Sequence, residues 1–472
     1  MSPQEAFEHV QIAWIEGRLE NVLEREKQLV ALHKLVQKQS SSLVRALQKD
    51  NDTPVELANA EVVATLNAIN ALYEQLDFQK ALAAERELKN GGTLANFLVP
   101  LGITLVAQLS TSPVISSLAP LAAALAAGNP AIVLGSRDVS TTNALLQQIV
   151  LDALDREAFH FEVSTNDSIT RAFTKEPFVT AVFHDFQTSQ TLGPVLRATN
   201  PSIRVIEPFY GIPAGFIDRS AGRSIEAVVK KIQNTMQVAP YGNSLRVPRL
   251  YFVDESLLES VKERLHVQQK SSSDSLESWL QERYSGQVLR FSPKKSDSTR
   301  LSSMPTVENI VTVSSKNGSD IVLVPTRSLD HGIDLLNKIN SGTGSQAIYI
   351  FAGGKEAFYL GNFITTSQVF INEISAHSIV TASCRSAGDT SLHTYRLEDF
   401  SESKTMQQFP KATPHSSVIK VAKINQKRVK QPIGGRMSFF EQGLILGVAM
   451  GLVALGGMSF WSYRGLRTYL SR

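Results

Sequence analysis

Short apolar segments rich in β-branched residues alternate with segments of helical period along most of this 472-residue chain. Residues 131–134, 161–163, 179–183, 203–206, 216–217, 250–253, 321–324, 347–351 and 369–372 are of the first kind. Between them lie the alanine- and leucine-rich 115–127, stopped by Gly128-Asn129, and the helix-like stretches 141–154, 168–173, 256–265 and 330–339. Strands this short, each followed by a helix, predict an α/β fold with parallel, doubly wound sheets. Ahead of them, 18–50 reads as one or two amphipathic helices, with Leu29, Leu32, Val36, Leu43 and Leu47 at helical spacing. A third helix is expected over 55–76, with Val62, Leu66 and Ile69 inward, and a strand pair or hairpin over 97–108, broken at Pro100-Leu-Gly102. The polar stretch 267–305, with its serine clusters, reads as an exposed insertion holding one helix over 276–284.

Composition narrows the function classes. A hydrophobic share of 43% and a charged share of 19% describe an ordinary globular chain. A net charge of +3 excludes a nucleic-acid binder held by phosphate contacts. The single cysteine, Cys384, excludes internal disulfides and multi-cysteine zinc sites and suits a reducing compartment. The 9 histidines form no ligand-spaced cluster, so no metal is expected. There is no His-Glu-x-x-His, no phosphate loop of the Gly-Lys-Ser/Thr type and no Gly-x-Ser-x-Gly elbow.

The far end of the chain is of another kind. Residues 442–463 carry no formal charge and are dominated by Leu, Ile, Val, Ala, Gly and Met. At about 1.5 Å per residue they reach about 33 Å, enough for a hydrocarbon core of about 30 Å. Trp461 and Tyr463 stand at one end of the stretch, where interfacial aromatics are favoured. Lys420, Lys423, Lys427, Arg428, Lys430 and Arg436 precede it, and Arg464, Arg467 and Arg472 follow. The reading is a single-pass C-terminal anchor with the large N-terminal part cytosolic, in the endoplasmic reticulum rather than the mitochondrial outer membrane. Gly443, Gly447 and Gly451 make a smooth stripe that permits close helix approach within the bilayer.

Particular residues carry a resemblance. Pro240-Tyr-Gly-Asn-Ser-Leu-Arg-Val-Pro248, followed by Arg-Leu-Tyr-Phe-Val-Asp-Glu-Ser256, resembles the nucleophile segment of aldehyde dehydrogenases. Pro100-Leu-Gly-Ile-Thr-Leu-Val, Leu118-Ala-Pro-Leu-Ala-Ala-Ala-Leu-Ala-Ala-Gly-Asn129, Val205-Ile-Glu207 and Phe370-Ile-Asn372 fit the same family in order and spacing across roughly residues 15–400. The layout is most similar to the class 3 or fatty aldehyde dehydrogenase branch, on Arg25-Glu-Lys-Gln-Leu-Val-Ala-Leu, Leu43-Val-Arg-Ala-Leu-Gln-Lys-Asp50 and the apolar tail. The resemblance implies two Rossmann-type domains and an oligomerisation hairpin. Residues 1–206 would hold the N-terminal helices and the dinucleotide-binding domain, with the hairpin near 93–108. Residues 207–397 would be the catalytic-type domain, 398–438 a basic linker, 439–463 the transmembrane helix and 464–472 a short tail.

The resemblance also implies site residues, and these depart from the family pattern. Leu245 stands where the family has its nucleophilic cysteine, and an isobutyl group cannot attack an aldehyde. Thr111 stands where an asparagine amide would hold the oxyanion. Gly135-Ser-Arg-Asp138 replaces a Lys-Pro-Ser-Glu turn, leaving Asp138 to accept from a ribose hydroxyl. Thr188-Ser-Gln-Thr-Leu-Gly193 keeps Ser189 and Gly193 of the pyrophosphate turn but has Thr188 at its first glycine. Glu308 retains the acid, without the Gly-Pro that follows Ile310's position elsewhere, and Glu207 matches the general base. Cys384, beside Arg385, stands in no nucleophile context. The expectation is an aldehyde dehydrogenase-like protein without oxidation chemistry, binding no cofactor and acting as a partner or scaffold at a membrane. It would be a homodimer, or a heterodimer with an active relative. The alternative is an active enzyme that oxidises a lipophilic aldehyde with NAD or NADP.

Overall fold

Capping chemistry sets where the first helices begin. The computed structural model describes residues 2–90, 92–163, 167–207, 209, 211–238, 246–265, 268–269, 311–314, 320–340, 343–380, 395–407, 443–450 and 452. In α1 (Pro3–Ile15) the Ser2 hydroxyl accepts from the Glu5 N–H while the Glu5 carboxylate accepts from the Ser2 N–H, a reciprocal capping box. The segment expected as one or two helices is a single one, α2 (Val22–Asn51), started by the Asn21 side chain on the Leu23 N–H. α3 (Val55–Glu74) follows as expected. α4 (Phe78–Lys89), started by the Asp77 carboxylate on the Lys80 N–H, buries none of its residues fully.

The expected hairpin across 93–108 does not form. β1 (Thr93–Pro100) pairs antiparallel with β14 (Ser401–Gln407), with Pro100 opposite Ser401. β2 (Thr104–Ala107) enters a different, parallel sheet. Gly102, at φ 134°, makes the passage between them, and a Cβ there would lie 3.0 Å from Val179 Cγ2. Residues 401–407, read as the start of the linker, are therefore a strand whose partner lies some three hundred positions earlier.

After β2 the order is α5 (Pro113–Ala127), β3 (Ala131–Gly135), α6 (Ser140–Ala153), β4 (Phe159–Val163), α7 (Asp167–Phe173), β5 (Thr180–Val182), α8 (Phe186–Thr199) and β6 (Arg204–Ile206). The five strands are parallel in the order β4-β3-β2-β5-β6. Their side chains alternate strictly between two cores. Val106, Val133, Phe161 and Val182 face α2, α3, α5 and α6. Leu105, Ile132, Leu134 and Ala181 face α1, α7 and α8.

The second half repeats the plan with β7 (Ala214–Ile217), α9 (Ile225–Val238), β8 (Leu250–Asp254), α10 (Leu258–Leu265), β9 (Gln268–Gln269), β10 (Val311–Ser314), β11 (Asp320–Thr326), α12 (Leu329–Ile339), β12 (Ser345–Phe351), α13 (Gly354–Phe363), β13 (Thr366–Ile371) and α14 (Ala376–Val380). The 7-stranded sheet runs β13-β12-β7-β8-β11-β10-β9, parallel up to β11 and antiparallel beyond it. Tyr251, Val253, Tyr349 and Phe351 face one core, with Leu57 and Ala60 of α3 joining it. Phe216, Phe252, Ile348 and Ile350 face the other, against α12 and α13. Asn372, at φ 57°, ends β13 by exchanging side-chain hydrogen bonds of 3.1 Å with both the N–H and the carbonyl of Ala352.

The chain divides into Met1–Phe409 and Pro410–Arg472. In the second unit 443–450 and 452 are helical, with Leu444, Ile445, Leu446, Val448, Met450 and Leu452 exposed. Among the described residues no helix is long and apolar enough to cross a membrane. Most of the span expected over 439–463 lies outside the described residues, as does the insertion helix expected at 276–284.

Asn129 ties the two chain passages at this corner. Its Oδ1 accepts from the Gly102 N–H at 2.8 Å, and its Nδ2 donates to the Phe400 carbonyl at 2.7 Å, both buried. Asn129→Ala leaves a buried donor and a buried acceptor without partners and lowers unfolding free energy by about 2–4 kcal/mol, read as the shift in urea midpoint. A shift within experimental error means that water replaces the amide.

Candidate functional site

In the first sheet the strand order reverses between β2 and β5, so the crevice beyond their carboxyl ends is the place where such folds hold a ligand. The turn after β2 is locked from three sides. Gln108 Nε2 donates to Asn143 Oδ1 at 2.8 Å, Gln108 Oε1 accepts from the Ser136 N–H at 2.6 Å, and Asn143 Nδ2 donates to the Ser136 carbonyl at 2.6 Å. The same turn is pinned by Asn51 Nδ2 on the Ser110 carbonyl at 2.6 Å. Thr111 sits in it with its hydroxyl oxygen buried and without a hydrogen-bond partner.

Asp138 lies in a short turn after β3, with its side chain 67% exposed and Arg137 Nε 3.9 Å away. Gly135, at the end of β3, is where the resemblance would put a ribose-holding lysine. A Cβ built there would lie 2.8 Å from Phe161 Cε1 and 3.0 Å from Asn143 Nδ2, so a side chain at this position has to displace the Phe161 ring or the Asn143 amide.

The structure moves the phosphate turn. α8 begins at Phe186 with Asp185 as its N-cap, the Asp185 Oδ1 accepting from the Thr188 N–H at 2.8 Å. Thr188 and Ser189 therefore lie inside the first turn of the helix, and Gly193 is further along it, not in the turn ahead. The turn itself is Phe183-His184-Asp185, without glycine. Ser189 is 2% exposed, and its hydroxyl donates to Glu207 Oε2 at 2.6 Å. Glu207 follows directly on β6, so two residues expected in different roles, pyrophosphate contact and general base, meet each other. Leu245, Glu308 and Cys384 lie outside the described residues.

An inherited dinucleotide would need open amides at the α8 N-terminus and a glycine-lined approach. The Thr188 N–H and the Ser189 hydroxyl are already engaged by Asp185 and Glu207, and the approach holds no glycine. The residues of this crevice do not fit the cofactor that the fold implies. Among the described residues there is also no group of three or more His, Cys, Asp or Glu that could hold a metal.

Three buried polar residues escaped the sequence reading. Glu61 of α3 accepts from the Val114 and Ile115 N–H groups at 2.8 and 3.2 Å, meeting the start of α5, and burial pushes its carboxyl up to about 7. His184 is bonded through Nε2 to the Ser116 carbonyl at 2.9 Å, which fixes the Nε2–H tautomer, and its Nδ1 is 3.4 Å from Tyr395 Oη. Burial pushes His184 down to about 4, so it is neutral at physiological pH. Arg246, which follows Leu245 in the chain, is fully buried. It donates to Gln368 Oε1 at 2.8 Å, its carbonyl accepts from Tyr349 Oη at 3.0 Å, and burial lowers its pKa to about 10.

Residues 5–198 match the model of the aldehyde dehydrogenase family. No curated protein matches the chain in sequence. Among solved structures, the substrate-bound state of Staphylococcus aureus AldH is similar at a TM-score of 0.62 and 17% identity, over 89% of this chain and 96% of that one. A probable aldehyde dehydrogenase from Listeria monocytogenes gives 0.63 and 13%, over 86% and 96%. Aldehyde dehydrogenase 21 from Physcomitrella patens, in complex with the reaction product succinate, gives 0.62 and 14%, over 87% and 91%. The chain has the aldehyde dehydrogenase fold, with the family's sequence pattern over its N-terminal part.

Glu61 and His184 both act on the first turn of α5 and titrate in opposite senses. The stabilisation linked to Glu61 is complete below its ordinary 4.5 and is lost as pH rises to about 7. That linked to His184 is complete above its ordinary 6.5 and is lost as pH falls to about 4. Each amounts to about 3 kcal/mol across its window, and the two slopes oppose each other where the windows overlap. Glu61→Gln leaves a stability that rises with pH through the overlap, and His184→Gln leaves one that falls. Urea midpoints over a pH series check both signs, and parallel slopes in the two variants contradict the assignment.

Proposed function

We propose that this chain is a membrane-anchored aldehyde dehydrogenase-like protein that no longer oxidises aldehydes and serves as a partner or scaffold. The observation that carries this reading is Leu245 at the nucleophile position, because without a thiolate there is no covalent thiohemiacetal and no hydride to pass on. The crevice supports it from the other side, since Ser189 and Glu207 are bonded to each other and a side chain at Gly135 would meet Phe161 and Asn143. The apolar, exposed helical residues between Leu444 and Leu452 support the anchor, as does the uncharged stretch around them. The basic flank ahead of that stretch supports a cytosolic side for the folded part, and the reading takes the endoplasmic reticulum as the membrane.

Assembly is read from two open edges. β13 ends the 7-stranded sheet with one side unpaired by any described strand, and β1 with β14 forms a separate two-stranded ribbon. A ribbon from one copy added to the edge of another gives a homodimer, or a heterodimer with an active relative. The active alternative, NAD(P)-dependent oxidation of a lipophilic aldehyde, has Thr111 in its favour, a buried hydroxyl left free to donate.

Full-length protein in detergent, given NAD or NADP and a long-chain aldehyde, is expected to form no reduced cofactor above a heat-denatured control. Leu245→Cys alone does not restore turnover, because the cofactor crevice is unchanged. NADH formation by the native chain, abolished by Cys384→Ala, sinks the inactive reading.

A chain ending at Gly435 is expected in the soluble fraction after cell lysis, while the full chain sediments with membranes. Continued sedimentation of the shortened chain removes the tail as anchor.

A further inference from the structure

The helix that directly follows β5 at the reversal of strand order is where a doubly wound sheet holds the phosphates of a dinucleotide. We infer that Asp185 shuts this helix end to phosphate, and that the chain therefore binds no nucleotide there. Three observations converge. The Asp185 carboxylate already accepts from the Thr188 N–H at 2.8 Å, which fixes a negative charge where a phosphate oxygen would sit. One residue earlier, His184 is 3% exposed, and its Nε2–H on the Ser116 carbonyl at 2.9 Å bridges this turn to α5 across the crevice. One residue after Thr188, the Ser189 hydroxyl is given to Glu207 at 2.6 Å, which brings a second carboxylate to the same end of the helix.

The arrangement is self-sufficient. Asp185 is both the cap that starts α8, holding the Thr188 N–H, and the charge that repels an anion. Two like charges a few ångströms apart in a partly buried site repel strongly enough to outweigh the favourable pull of a helix end. The inference deepens the inactive reading above and rests on the same crevice, but it fails separately from it.

The test is binding and not turnover. Full-length protein in detergent is titrated with NADH, followed by fluorescence, and with inorganic pyrophosphate, followed by melting temperature. The native chain is expected to show no saturable response to either. Asp185→Asn keeps the capping acceptor and removes the charge, and Asp185→Gly removes both. Each variant is expected to gain a pyrophosphate-dependent rise in melting temperature and an affinity at least about tenfold above the native chain. Glu85→Gln, on the exposed face of α4, gains nothing. Saturable binding of either probe by the native chain overturns the inference. So does silence from both Asp185 variants when circular dichroism shows them folded, and so does a gain by Glu85→Gln. None of these results bears on aldehyde oxidation, which only NADH formation can establish.

Discussion

A helix without charged side chains, buried along its whole length, can be held only if other parts of the chain meet its ends. All 15 residues of α5 are buried. Its first amides donate to the Glu61 carboxylate, and near its other end the Ala126 carbonyl accepts from Arg25 Nη1 at 2.7 Å. An anion at the start and a cation at the finish complement the helix dipole, and Gly128 at φ 91° then releases the chain into β3. Burial raises the Glu61 pKa and lowers that of Arg25, so both groups sit where their charges are costly. That cost is offset by the position they secure. α2 and α3 are clamped onto α5, α5 onto β2 and β3, and the turn that opens the crevice is the residue run just ahead of α5.

Much of this was legible because the two periodicities are physical. The strands of both sheets show their buried faces in the sequence, residue by residue, since Leu105 and Val106, or Tyr251 and Phe252, must point to opposite cores. One feature was misread because it is not local. Pro100-Leu-Gly102 signals a turn correctly, but which strand β1 pairs with is decided by β14, at the far end of the folded unit. α4 has no fully buried residue, and its local marks are the Asp77 cap and a run of strong helix formers. The end of β13 is the opposite case, where an asparagine at a strand end already hints at the left-handed turn it takes.

The site was legible in outline and displaced in detail. Matching letters placed the phosphate turn at Thr188-Ser-Gln-Thr-Leu-Gly193, whereas capping chemistry places it three residues earlier. Asp185 followed by Phe-Gln-Thr is an N-cap with its acceptor three residues from the amide it receives, a local signal available without any family pattern. Glu61 had a signal too. It lies at helical spacing with Leu57, Thr65, Ala68 and Leu72, all buried, so a carboxylate on that face had to meet a buried donor. His184 and Arg246 carry no comparable mark, because the carbonyl of Ser116 and the side chain of Gln368 that receive them come from distant elements.

A ligand crevice at the carboxyl edge of a parallel sheet ordinarily keeps donors and acceptors under-used until the ligand arrives, at some expense in stability. Along this edge the groups have turned inward. Gln108, Asn143 and Ser136 satisfy one another, His184 and Ser116 close the gap between α5 and the turn after β5, Ser189 holds Glu207, and Asp185 holds Thr188. Each of these pairs is a contact that the fold makes by itself. A set of mutually satisfied polar groups strengthens the scaffold and leaves fewer donors and acceptors open to a ligand. The Thr111 hydroxyl, just ahead of α5, is buried without such a partner, as are those of Ser117 in α5 and Thr180 in β5.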